Sequence, residues 1–188
     1  EGNASITLVY RTGDGDQQLW RHQASARLTV SLGRDLALSL ETTNLGNDPF
    51  DLTEALHTYF RVGDVGAVRV EGLDGRDYLD KVANFARKRQ PGIIRVDGEV
   101  DRIYLGDVDP ILLIEEMDPA RSITINCTGS RSAVVWNPWI ERTKALGDMG
   151  AADAYKQMLC IETANAGDDV RRLEPGARHV LTARYSLA

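Results

Sequence analysis

Apolar residues recur along this chain at every second position: Leu28, Val30 and Leu32 alternate with Arg27, Thr29 and Ser31, and Leu36, Leu38 and Leu40 with Ala37 and Ser39. A period of two puts one face of each run on a core and the other in water, which is the pattern of half-buried strands. Gly33-Arg34-Asp35 interrupts the two runs and predicts a hairpin between them. Similar short runs return at Ile6 to Tyr10, Ile93 to Val96, Ile103 to Leu105, Ile111 to Ile114, Ser122 to Cys127, Ala133 to Trp136, Met158 to Ile161 and His179 to Tyr185. Between them stand turn-forming clusters such as Gly46-Asn47-Asp48-Pro49, Gly106 to Pro110 and Glu174-Pro175-Gly176. Helix is favoured over strand only around Ala151 to Gln157. The charged stretch Arg76 to Arg89 breaks the strand pattern and reads as a surface loop. Many short strands with turn chemistry between them predict an all-β antiparallel sandwich, with residues 1–188 forming a single domain.

A chain of 188 residues is long enough to bury a core without disulfide or metal staples. Its 22 Lys and Arg against 28 Asp and Glu leave a net charge of −6, and no basic block stands out. A phosphate backbone would find little to hold, so nucleic acid is not an expected partner. No run approaches the ~20 apolar residues that cross a bilayer, and Glu1-Gly2-Asn3-Ala4 lacks the character of a signal peptide. These features predict no membrane association and a cytoplasmic location, and they assign no oligomeric state. The chain opens on Glu1 rather than Met, and strand-like sequence begins almost at once, as expected of a processed or trimmed piece. Cys127 and Cys160 lie in apolar, strand-like surroundings without metal-ligand spacing, which predicts buried free thiols and no metal site.

Motifs for nucleotide binding, zinc proteolysis and serine hydrolysis are absent from the sequence. Three acid–base candidates remain, each inside a run suited to a strand: His57, Asp101 and Glu162. By alternation Glu162 faces solvent; placed inside, it would need partners. His57 has a side chain suited to proton exchange at neutral pH and is equally compatible with a structural role. Asp101 beside Arg102 reads as a surface ion pair.

The segments Thr53-Glu54-Ala55-Leu56-His57-Thr58-Tyr59-Phe60-Arg61-Val62, Val134-Val135-Trp136-Asn137-Pro138-Trp139 and Cys160-Ile161-Glu162-Thr163-Ala164-Asn165 occur in that order. Together they resemble the glucose-6-phosphate 1-epimerase (hexose-6-phosphate mutarotase) branch of the aldose 1-epimerase superfamily, from about Trp20 onward. The resemblance implies a galactose mutarotase-like β-sandwich that interconverts the α and β anomers of a hexose 6-phosphate, or of a hexose, without a cofactor. It implies His57 as general acid, Glu162 as general base and Asp101 as a residue of the sugar pocket. Trp136 is the candidate apolar wall for the sugar, with packing the expected role of at least one of Trp136 and Trp139. Asn137-Pro138 should shape a turn.

The resemblance also implies further N-terminal strands, ahead of the region matching Trp20, whose arginines help to bind the phosphate, and these are expected to be missing from this chain. Arg21, Arg61, Arg87, Lys88 and Arg89 read as scattered surface charge. Two other classes fit the same residues. One is a non-catalytic sugar-binding or regulatory sandwich; the other is a glycoside-cleaving enzyme with Asp101 and Glu162 as its carboxylate pair.

Overall fold

In a computed structural model, which describes residues 4–116, 120–147 and 149–187, the alternating runs become strands of two antiparallel sheets. The first sheet has eight strands. Ala4–Arg11 lies at one edge, followed by Ala24–Leu32, Leu36–Asn44, Arg178–Leu187, Arg121–Thr128, Ile111–Glu115 and Val68–Glu71, with Ile94–Arg95 at the other edge. In the second, Glu54–Leu56 and Tyr59–Arg61 share one edge, and Met158–Asn165, Ser132–Asn137, Val100–Leu105, Asp77–Asp80 and Ala86–Arg89 follow in order. Phe50–Leu52 and Arg171–Leu173 form a separate two-stranded ribbon.

The predicted hairpin is present, with Leu32 opposite Leu36 and Leu28 opposite Leu40 around the Gly33-Arg34-Asp35 turn. Between the sheets lies an apolar core that includes Val70, Tyr104, Leu113, Ile125, Leu159, Ile161 and Leu181, each essentially inaccessible to water. Full burial of a side chain of this size contributes roughly 1.5–3 kcal/mol, so this layer is what holds the sheets face to face.

Three expectations need correction. The charged stretch Arg76 to Arg89 is not a loop: Asp77–Asp80 pairs with Ala86–Arg89, and the turn between them places Asn84 and Phe85 at φ 53° and 60°. Charge disguised the second strand because it is a sheet edge exposed on both faces. The α-helix lies at Trp139–Ala145, whereas Ala154–Gln157 forms only a 3₁₀ turn. Tertiary anchoring outweighs propensity at the helix: buried Asn137 accepts the Trp139 N–H at 2.9 Å, and its amide donates to the carbonyls of Tyr155 and Met158. Finally, the expected run Ile93 to Val96 shortens to Ile94–Arg95.

Candidate functional site

Glu162 lies on Met158–Asn165, a strand buried along its entire length, with Ser132–Asn137 on one side. On the other side the partner edge is split in two without losing register. Leu56 is opposite Thr163 and Tyr59 is opposite Cys160, so the intervening His57 falls directly across from Glu162. Val134 flanks Glu162 on its other side, and Ile103 lies beyond Val134. One row along the same face, Tyr59, Cys160, Trp136 and Asp101 stand in register. Because side chains two apart share a face, these two rows open onto one concavity. Its volume is about 500 Å³, and its lining includes His57, Lys81, Asp101, Trp136, Glu162 and, from the helix, Arg142.

The Nδ1 atom of His57 stands 3.3 Å from Oε1 of Glu162, with the imidazole side chain 67% exposed and the carboxylate 7%. Thus Glu162 does not face solvent as alternation predicted. Its strand is covered on both faces, and the carboxylate points into a pocket where His57 partners it. Burial raises the Glu162 pKa above its ordinary value, while the neighbouring His57 and Lys81 charges pull it down and the Asp101 carboxylate pushes it up.

Asp101 was expected to form a surface pair with Arg102, but the two side chains take opposite faces of their strand. Arg102 lies over the Tyr78 ring, 4.9 Å from its centre, and donates to Oε1 of Gln90 at 3.2 Å. Asp101 instead places Oδ2 2.9 Å from the Lys81 ammonium. Its Oδ1 is buried and has no hydrogen-bond partner among the described residues. A buried acceptor left open costs about 1–3 kcal/mol, which a ligand hydroxyl at this position would recover.

Each end of the site is anchored. Thr58, next to His57, shares a 2.6 Å hydrogen bond with the Tyr185 hydroxyl on the opposite sheet. The alternation that sends Thr58 inward sends His57 into the pocket. Asn165 donates from its amide nitrogen to the Gly129 carbonyl and to the Asp169 carboxylate, which turns its Oδ1 toward His179 Nε2 at 3.0 Å. The imidazole is therefore the donor in that contact, and burial lowers its pKa, favouring the neutral form.

Trp136 and Trp139 divide the two expected roles. Trp136 lines the pocket edge-on to Tyr59, while Trp139 packs on Tyr155 at 5.1 Å between ring centres. Both cysteines are free. Cys160 is buried and Cys127 half-buried, and burial raises both thiol pKa values, that of Cys127 to about 11. Among the described residues, no group of three or more His, Cys, Asp or Glu is placed to hold a metal and no helix is long and apolar enough to cross a membrane. Lys81, Arg142 and Tyr59 also line the pocket, and none of them stands out in the sequence. Lys81 and Tyr59 occupied segments read for other features, and nothing marked the helix that carries Arg142.

The family model for aldose 1-epimerase matches residues 1–186, so the likeness extends ahead of Trp20. A relative from Cenchrus ciliaris, provisionally named a glucose-6-phosphate 1-epimerase, is 39% identical over 178 residues, covering 92% of this chain and 53% of its own. An Escherichia coli K12 relative with the same provisional name is 31% identical over 166 residues, or 87% of this chain and 54% of the relative. The chain thus spans about half the length of these curated relatives. Among solved structures, one from Salmonella typhimurium provisionally named a mutarotase superposes with a TM-score of 0.88 at 25% identity, covering 99% of this chain and 61% of that one.

Proposed function

Because the chain belongs to the aldose 1-epimerase family, we propose that its pocket interconverts the α and β anomers of a hexose 6-phosphate by acid–base opening and closing of the ring. The observation that carries this reading is the in-register pair of an exposed imidazole and a buried carboxylate, 3.3 Å apart at one pocket. In a pyranose the ring oxygen and the anomeric hydroxyl share one carbon, so their acid and base must stand side by side.

Glu162 takes the proton of the C1 hydroxyl as His57, entering as imidazolium, gives one to the ring oxygen. The C1–O5 bond breaks to leave the open-chain aldehyde. Rotation about C1–C2 presents the other face, and the reverse transfers close the ring and restore both side chains. Each positioned transfer is worth on the order of 10²- to 10⁴-fold in rate. A carboxylate whose pKa burial has raised is a better-matched base near neutrality than a solvated one. The steps exchange only protons and call on no metal or redox partner.

Asp101, held by Lys81 through Oδ2, accepts a sugar hydroxyl at Oδ1. Trp136 and Tyr59 give the sugar's C–H face an apolar wall. Phosphate preference is supported by the names of the relatives and by Arg142, which lines the pocket without an ion pair among the described residues. Polarimetry on freshly dissolved α-glucose 6-phosphate tests the reading. The intact protein should hasten the approach to anomeric equilibrium, and a rate equal to the spontaneous one would defeat it.

A further inference from the structure

The sheet face that carries the sugar pocket holds a second concavity. The loop after Met158–Asn165 crosses this face, and Gly167, at φ +61°, lies on Leu79, Leu105 and Ile103. A Cβ at Gly167 would stand 3.0 Å from Leu79 Cδ1, so only glycine lets the loop settle this close to the sheet. Beyond this divide lies a cleft of about 460 Å³ with four arginines on its walls: Arg76, Arg87, Arg89 and Arg131.

The acids facing the cleft do not balance them. Asp168 binds Arg87 at 2.5 Å. Asp169 is buried and committed to the Arg131 backbone N–H, the Asn165 amide and Arg171. Asp77 forms no ion pair among the described residues, although it stands opposite Arg89 in the strand register. The guanidinium groups of Arg76, Arg89 and Arg131 form no ion pair among the described residues either. Gly75 and Gly106 line the same cleft, with the Arg89 Nη2 3.6 Å from where a Cβ of Gly75 would stand and the Arg76 Nη1 3.8 Å from that of Gly106, both ordinary contact distances. Three guanidinium groups without an ion pair, facing one free carboxylate, leave the cleft net positive, and each presents a planar fork of donors. A compact, multiply charged oxyanion would offset that charge and satisfy the donors together.

We propose that this cleft is an anion-binding site for a phosphate-class ligand, separate from the acid–base pocket. The site requires neither His57 nor Glu162, so it stands or falls independently of the proposed reaction.

The test is a titration of the intact protein with inorganic phosphate at fixed ionic strength, followed by calorimetry and by amide NMR shifts. Shifts at Gly75 and Gly106, together with at least about tenfold weaker binding in the folded Arg76→Gln/Arg89→Gln double variant, are expected. Asp77→Asn should tighten binding several-fold, because it removes the one facing acid that no cation offsets. Two sources of phosphate separate in a second arm. If the double variant leaves the KM for glucose 6-phosphate unchanged, the cleft serves a separate anion; if that KM rises while the KM for glucose does not, it serves the sugar's own phosphate. Phosphate affinity within twofold of the parent in the double variant, or shifts confined to the neighbourhood of Arg142, would overturn the proposal.

Discussion

Two strands of similar character in sequence end in opposite environments. Ala4–Arg11 is exposed at every position, with Ile6, Leu8, Val9 and Tyr10 all more than half accessible. Met158–Asn165 is buried at every position, including Glu162, Thr163 and Asn165. The first is an edge strand paired on one side; the second lies between two partners, with core beneath and pocket above. Alternation of polar and apolar residues reports one wet face, so it fails at both extremes. What distinguishes the strand beneath the pocket is the pairing of its polar groups, since polar atoms inside must be partnered wherever they fall.

The substitution that probes this contrast hardest is Glu162→Gln. Loss of the base should slow anomer exchange by on the order of 10²- to 10⁴-fold, read by polarimetry. Stability should move the other way. A carboxyl whose folded pKa is raised above its ordinary 4.5 holds its proton more tightly in the fold than in the unfolded chain. The parent therefore loses stability as pH rises through that interval, and the Gln variant does not. Melting temperatures at a series of pH values should show the variant gaining on the parent as pH rises from below 4.5. A variant that falls behind over that range would mean the burial cost of Glu162 is fully offset by its partners.

His57→Asn tests whether burial is what marks function. The imidazole is as exposed as the outer strand, so its loss should change stability by no more than about 0.5 kcal/mol. Activity should fall by about 10²-fold or more. Arg142→Gln is expected to act more mildly, raising KM for the 6-phosphate by roughly three- to tenfold through loss of one charged contact while leaving KM for the neutral hexose unchanged. Smallest of all is Ile6→Thr on Ala4–Arg11. Activity should be unaltered and stability should shift by about 0.5 kcal/mol or less, measured by denaturant melts. A larger loss would show that this face is covered in solution.

How much of this was legible in the sequence depends on which interactions are local. Strand alternation and turn residues are local, and the Leu28–Leu32 and Leu36–Leu40 hairpin emerged as read. The Ala86–Arg89 strand did not, because its four exposed side chains carry no trace of the backbone bonds that define it. At the site, His57, Asp101 and Glu162 stood out as acid–base side chains and Trp136 as a candidate wall, the resemblance supplied the roles of the first three, and all four line one pocket. Pattern alone put Glu162 in water. The fact that places His57 opposite Glu162 is a register between segments about a hundred residues apart, and no local signal encodes it. Lys81 and Arg142 were invisible for a similar reason: their place in the pocket depends on how the charged hairpin and the short helix fold back.

The hydrogen bond between Thr58 and Tyr185 ties the imidazole's immediate neighbour to a strand that gives the cavity none of its principal side chains. Arg178–Leu187 thus works as a remote brace for the segment that carries the His57 imidazole. Warming that loosens this brace should blunt turnover before the chain as a whole melts, and Tyr185→Phe should bring that early decline to a lower temperature.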